Sequence, residues 1–344
     1  MSWAGLLLAD PSAALRWLVL RDVLGRPEDD PEVQELGALR EADPLVAGLV
    51  ARQAADGAWA GDGVLAAGPG RSVRATAQAL ARLGYLGLGP AHPAVRRGAE
   101  WLFAQQRPDG SWALEGAAEE SEELAGATLV PLQTALPLRA LALAGYATDP
   151  RAGRAYEWLL VQRLNDGAWP TGLAAGTYRG VGGYRRLAHS RWGCRSNTTG
   201  ALLALAHHPE RRHSPAARRA LDLLLGRETR EAHTLGFEVA RLAGFEPARG
   251  LLTHYARFDL ALVLDLCWRV GATLEDERVA GAVRFVADLQ GPYGLWEYAP
   301  RPEASRWVTF DLLRSLSRLD AAGDWLSLEP RTPFRAYARR RRRF

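Results

Sequence analysis

A Gln, a short polar turn, a Gly, one further residue and a Trp recur along this chain. The copies are QAADGAW ending at Trp59, QRPDGSW at Trp112, QRLNDGAW at Trp169 and QGPYGLW at Trp296. Self-similarity at a regular period marks a stacked architecture in which each unit buries its apolar face only against its neighbours. The interval from Trp169 to Trp296 is about twice the others, so a degenerate copy is expected near residues 225–235, where LLLGRETREAH follows a matching helix.

Each copy follows a segment with its own helix start: HPAVRRGAEWLFAQQ, DPRAGRAYEWLLVQR, SPAARRALDLLLGR and DERVAGAVRFVADLQ. Asp or Ser at the cap, with Pro in the first turn, makes such starts sharp. After each Trp comes a loop and then a second segment rich in Ala and Leu with few charges, as in LQTALPLRALALAGY, SNTTGALLALAHH and FDLALVLDLCWRVG. Helices of that composition are covered on most sides. SAALRWLVLRDVLG and PLVAGLVARQ supply one more pair at the N-terminal end. The expected fold is all-α, an (α/α)6 toroid of six helical hairpins. It would form one domain over residues 1–330, followed by an Arg-rich tail at 331–344.

Gln, Gly and Trp at these spacings, best seen in RRGAEWLFAQQRPDGSW, resemble the QW repeats of squalene-hopene-type triterpene cyclases. The resemblance spans residues 40–325 and extends in architecture to the protein prenyltransferase β subunits. It implies a central cavity that takes an isoprenoid, either a diphosphate or a polyprene, and cyclase or prenyl-transfer chemistry. Two readings compete with it: a non-catalytic toroid that binds a lipid or a protein partner, and a carbohydrate-active ring with paired carboxylates.

Composition narrows the chemistry. The chain contains no Lys and no Ile, so its 43 basic residues are all Arg, which rules out a Lys Schiff base, a Lys general base and a P-loop Lys. Six of those Arg lie in the last ten residues, RAYARRRRRF, so the body is close to neutral and the tail is a candidate for acidic lipid headgroups. No membrane span or signal peptide is evident, so a cytoplasmic location is expected, with peripheral membrane contact through the tail and no nucleic-acid partner.

Three groups of residues are candidates for chemistry. The loop before the inner helix near Ser196 gathers Arg185, Arg186, His189, Arg191 and Arg195 with Tyr178, Tyr184 and Trp192. Guanidinium forks beside aromatic faces suit a prenyl diphosphate. Loops 60–73, 113–127 and 170–196 would share one mouth, at the N-terminal ends of the inner helices, where helix dipoles favour an anion. The D-x-D-D acid of class II cyclases is absent, which leaves Asp259, Asp265 and Asp311 on inner helices as candidate acids, since a carboxyl in an apolar helix is costly unless it is used.

No cofactor is expected. Asp265-Leu266-Cys267 is similar to the Asp-x-Cys element of prenyltransferase zinc sites, but the following inner helix offers no His, so zinc is disfavoured. Glu119, Glu120, Glu122 and Glu123 could carry Mg²⁺ yet lack the spacing of a hard-cation site. His207, His208 and His213 are read as an exposed turn between helices.

Overall fold

Outer helices begin where a short side chain caps the backbone ahead of the first turn. Asp43 accepts from the amide of Leu45 at 2.9 Å, Asp149 from Arg151 at 2.8 Å, Ser214 from Ala217 at 3.2 Å and Asp276 from Arg278 at 2.9 Å. The computed structural model describes all residues except 62–64, 66–71, 114–129, 172–186, 227–232, 248–254, 256, 292 and 329–344.

In chain order the helices are α1 (Ala4–Leu8), α2 (Ala13–Leu18, continued by a π turn Val19–Val23), α3 (Pro31–Leu39), α4 (Pro44–Val50), α5 (Val73–Tyr85), α6 (Pro93–Ala104) and α7 (Pro131–Leu141). They continue with α8 (Pro150–Val161), α9 (Arg195–Ala206), α10 (Pro215–Leu225), α11 (Phe237–Ala243), α12 (Leu260–Val270), α13 (Glu277–Asp288) and α14 (Ser305–Leu319). Among the described residues the only strands are two-residue parallel pairings: β1 (Ser2–Trp3) with β4 (Leu326–Ser327), and β2 (His233–Thr234) with β3 (Phe258–Asp259).

The inner ring is α2, α5, α7, α9, α12 and α14, each packed on the next along α5–α7–α9–α12–α14 and with α14 returning to the π turn of α2. Their composition follows their position: every residue of α7 is buried, as is every residue of α9 after Arg195. Outside them lie α4, α6, α8, α10 and α13. SAALRWLVLRDVLG and PLVAGLVARQ are therefore the first inner and first outer helices. The sixth outer place is filled by α1, which packs on α2 and α14 and brings the chain start beside the last repeat. No helix among the described residues is long and apolar enough to cross a membrane.

The recurring motif is a staple. All four Trp side chains are fully buried, and each indole donates to a carbonyl ten residues back, at Leu49, Leu102, Leu159 and Val286, over 2.6–2.9 Å. Each Trp amide donates to the hydroxyl of an inner-helix Thr: Thr76, Thr134, Thr198 or Thr309. The Gln amide reaches into the next repeat, from Gln53 to the carbonyl of Ala94 at 2.9 Å and from Gln106 to that of Arg151 at 3.0 Å. Gln290 closes the ring on the chain start, donating to the Ser2 hydroxyl at 2.9 Å. In the third copy the equivalent of Gln53 is Arg163, not Gln162, because the turn amide that pairs back is Leu164 where the first copy uses Ala54. There the tie to the next outer helix is Arg219 Nε, which donates to the carbonyl of Asp166 at 2.9 Å.

The Gly of each copy is required twice over. Gly110 has φ +94°, and a Cβ on it would stand 2.5 Å from the backbone carbon of Arg154 in the next outer helix. Gly110→Ala is expected to cost about 1–3 kcal/mol from the left-handed conformation alone, and more from the backbone clash, read as a fall in thermal midpoint with the helical spectrum retained. A variant as stable as the parent would show that the repeats are not locked through this contact.

Candidate active site

The bore of the ring is not empty at its centre. Between α10 and α12, helix α11 packs against α5, α12 and α14 and reaches α7 through Glu238. All seven of its residues are buried. Gly236 and Gly244, at φ +83° and +94°, turn the chain in and out of the bore. Two polar anchors hold the insert. Glu238 lies between the guanidiniums of Arg139 and Arg241, while Arg139 also donates to Tyr255 Oη at 2.7 Å. Burial pushes the Glu238 carboxyl up, but Arg241 and Arg139 outweigh it and hold the group below the usual range. The second anchor is Asp259, the N-cap of α12, which accepts from the amides of Gly236 and Glu238, each at 2.7 Å, and of Ala261 at 3.2 Å. Burial raises Asp259 to about 6 against those amides.

Beside α11 lies a cavity of about 360 Å³. Its lining comes largely from the last turns of the inner helices: Gly84 and Tyr85 from α5, Ala142 and Leu143 after α7, His207 after α9 and Arg269 from α12. The sequence pointed instead to the N-terminal ends, where loops 60–73, 113–127 and 170–196 lie largely outside the described residues. Carbonyl ends of helices carry partial negative charge, so the helix dipoles here favour a cation rather than an anion. Trp17, Leu18, Val239, Leu242 and Leu262 supply its apolar wall.

Arg314 is the hub of its polar wall. It contacts Asp311, lies 3.6 Å from Asp265 and 3.6 Å from Asp22, and sits over the rings of Tyr85 and Phe310. Asp265 also accepts from Arg269 Nε at 2.8 Å and from the indole of Trp268 at 3.1 Å. Three carboxylates thus share two guanidiniums at ion-pair distance, and one proton evens the charge. Between Asp265 and Asp311, the carboxyl that takes a proton more readily is Asp311. Burial raises that carboxyl, Arg314 opposes and Asp265 reinforces, leaving it at about 6. For Asp265 burial also pushes upward, but Arg269 and Arg314 dominate and hold it well below the carboxylate range. Two carboxyl groups driven apart in this way are the pattern of an acid beside a permanent anion. Tyr85 Oη, in a side chain only 6% exposed, finds no hydrogen-bond partner among the described residues.

The structure therefore brings Asp265 and Asp311 into one cavity and uses Asp259 as a cap outside its lining. Of the proposed phosphate clamp, Tyr178, Tyr184, Arg185 and Arg186 lie outside the described residues. His189 is exposed at φ +59° with Nε2 3.1 Å from the carbonyl of Gly226. Arg191 is exposed over the ring of Trp192, and Arg195 begins α9. The acidic stretch Glu119, Glu120, Glu122 and Glu123 also lies outside the described residues, and among the described residues no three metal-ligating side chains cluster. Burial pushes the Cys267 thiol up to about 12, with Asp276 adding to the rise and Arg278 opposing it.

Of the three histidines expected in an exposed turn, His213 is exposed, whereas His207 and His208 are not. His208 is 7% exposed and caps the turn that follows, accepting from the amides of Glu210 and Arg211, while His207 faces the cavity. Sequence reasoning missed His207, Tyr85, Asp22 and Glu238. The one available signal was GFEVARLAG, a Gly-bracketed apolar helix with an internal Glu and Arg three apart, inside an unusually long connection.

The family model of the squalene-hopene cyclase C-terminal domain matches residues 33–184. No curated protein matches the chain. Among solved structures it is similar to a variant of the type II terpene cyclase MstE from Scytonema in complex with geranylgeranyl dihydroxybenzoate, at 21% identity over 81% of this chain and 73% of that one, TM-score 0.47. A second MstE variant, in complex with merosterolic acid A, aligns at 17% identity over 80% and 94%, TM-score 0.34. A protein from Actinoplanes aligns at 18% identity over 83% and 99%, TM-score 0.31. The described helices form an αα toroid closed by stapled repeats, and over residues 33–184 the chain is similar to the squalene-hopene cyclase C-terminal domain.

Proposed function

We propose that the cavity beside α11 binds an isoprenoid and that Asp311 protonates one of its double bonds, starting a cyclisation or isomerisation. The observation that carries this reading is the Asp311–Arg314–Asp265 arrangement: a buried carboxyl near 6 beside a carboxyl held ionised, in a cavity with an apolar wall. Burial raises the proton affinity of Asp311 so that the group is loaded below about pH 6, and Arg314 stabilises the carboxylate left after transfer. The cation that forms would sit among the helix C-termini that line the cavity. The volume lies within the range of about 300–1,000 Å³ seen for small-molecule pockets.

A second reading, non-catalytic binding of a lipid, draws on α11, whose presence in the bore narrows the space for a long polyprene. Purified protein incubated with squalene or with geranylgeranyl diphosphate, then extracted and analysed by mass spectrometry, separates the two. A new hydrocarbon or alcohol is expected. Binding without conversion would leave the lipid carrier, and absence of binding would remove both.

A further inference from the structure

The end of α9 holds a titratable group that the acid at Asp311 does not use. His207 follows the last residue of that helix, and its Nδ1 lies 2.7 Å from the carbonyl of Leu203. A carbonyl accepts only, so Nδ1 carries the proton, and in a neutral ring Nε2 is then a bare lone pair. The ring is neutral: burial lowers its affinity for a proton well below the ordinary value, and Arg269 and Arg139 lower it further against Asp265. Nε2 has no hydrogen-bond partner among the described residues, although the side chain lines the same cavity as Asp311 and Asp265.

We infer that His207 Nε2 is the proton acceptor of this cavity, taking the hydrogen that a ligand cation releases from the carbon next to its positive centre. The inference rests on the acid role of Asp311. In the first step the O–H bond of Asp311 breaks and a C–H bond forms at one alkene carbon, leaving a cation. In the second, an adjacent C–H bond breaks, its electron pair becomes a new double bond and the proton moves to Nε2. The ligand is isomerised with no oxidant or co-reactant, and solvent exchange returns the proton from imidazolium to the Asp311 carboxylate. A depressed proton affinity is no obstacle, because a carbocation is a far stronger acid than imidazolium. The same depression lets the ring discharge quickly.

The test uses ¹⁵N-histidine-labelled protein, with the His207 signals identified by their loss in His207→Gln, and farnesylamine as a probe whose ammonium stands for the cation. At pH 7 the ring is expected as the Nδ1–H tautomer, and saturation with the amine is expected to shift Nε2. A protonated Nε2 in the free protein, or an amine that binds by calorimetry without moving Nε2, overturns the inference. If the amine does not bind, the isoprenoid cavity itself falls, and this role with it. Where squalene or geranylgeranyl diphosphate is converted, His207→Phe is expected to lower the ratio of olefin to alcohol products by about 10²-fold, the scale of one positioned base, as water captures the cation. An unchanged ratio overturns the role and leaves Asp311 untouched.

Discussion

Glu238→Gln is expected to lower the unfolding free energy by about 3–5 kcal/mol, the range for removing one partner of a buried ion cluster. The carboxylate lies between Arg139 and Arg241, and the three side chains are each under 8% exposed. Its loss takes from both guanidiniums the carboxylate they share, while Arg139 keeps Tyr255 Oη. Glu238 also heads α11, so the substitution loosens the insert that fills the bore. Its folded-state value lies below the ordinary 4.5, so the contribution is present above that pH and disappears as pH falls through the folded value. Urea unfolding at pH 7 gives the magnitude. Glu100→Gln is the control: its ion pair with Arg151 is 54% and 34% exposed, and its removal is expected to cost under about 1 kcal/mol. Equal losses in the two variants would mean that α11 is not held by the Glu238 cluster.

The ring was legible because the features that build it are local. Gln53, Gly57 and Trp59 lie within one turn and make contacts fixed by short spacing, so their recurrence reports the architecture directly. Where the spacing slips the reading slips with it: Gln162 looks like a staple, but Arg163 holds the register and Arg219 makes the tie. The cavity was less legible for the same reason in reverse. Asp265 and Asp311 stood out as carboxyls in apolar helices, yet their meeting at Arg314 depends on helix rotation, which an apolar inner helix with little polar face leaves open. His207 is the last-turn residue of one helix and Tyr85 that of another, and nothing in either local sequence marks the shared wall. Glu238 reaches Arg139 across 99 positions, a pairing that periodicity does not encode.

Asp311→Asn should reduce conversion of an isoprenoid substrate by about 10²–10⁴-fold, the contribution of one positioned general acid. Asparagine keeps an oxygen for Arg314, so helical content and the thermal transition are expected to survive, which separates lost chemistry from lost fold. The pH profile supplies the sign. The acid works protonated and Asp311 lies at about 6, so wild-type conversion is expected to fall as pH rises through that value. Asp265 sets where the fall occurs, because its carboxylate opposes ionisation of Asp311 and competes for Arg314. Asp265→Asn removes both effects, so the fall is expected at lower pH, with Asp311 pulled toward the ordinary 3.8 by a guanidinium it no longer shares. A flat profile from pH 5 to 8, or a midpoint that moves upward in Asp265→Asn, would take the proton-donating role away from Asp311 even if the ring proved to convert an isoprenoid.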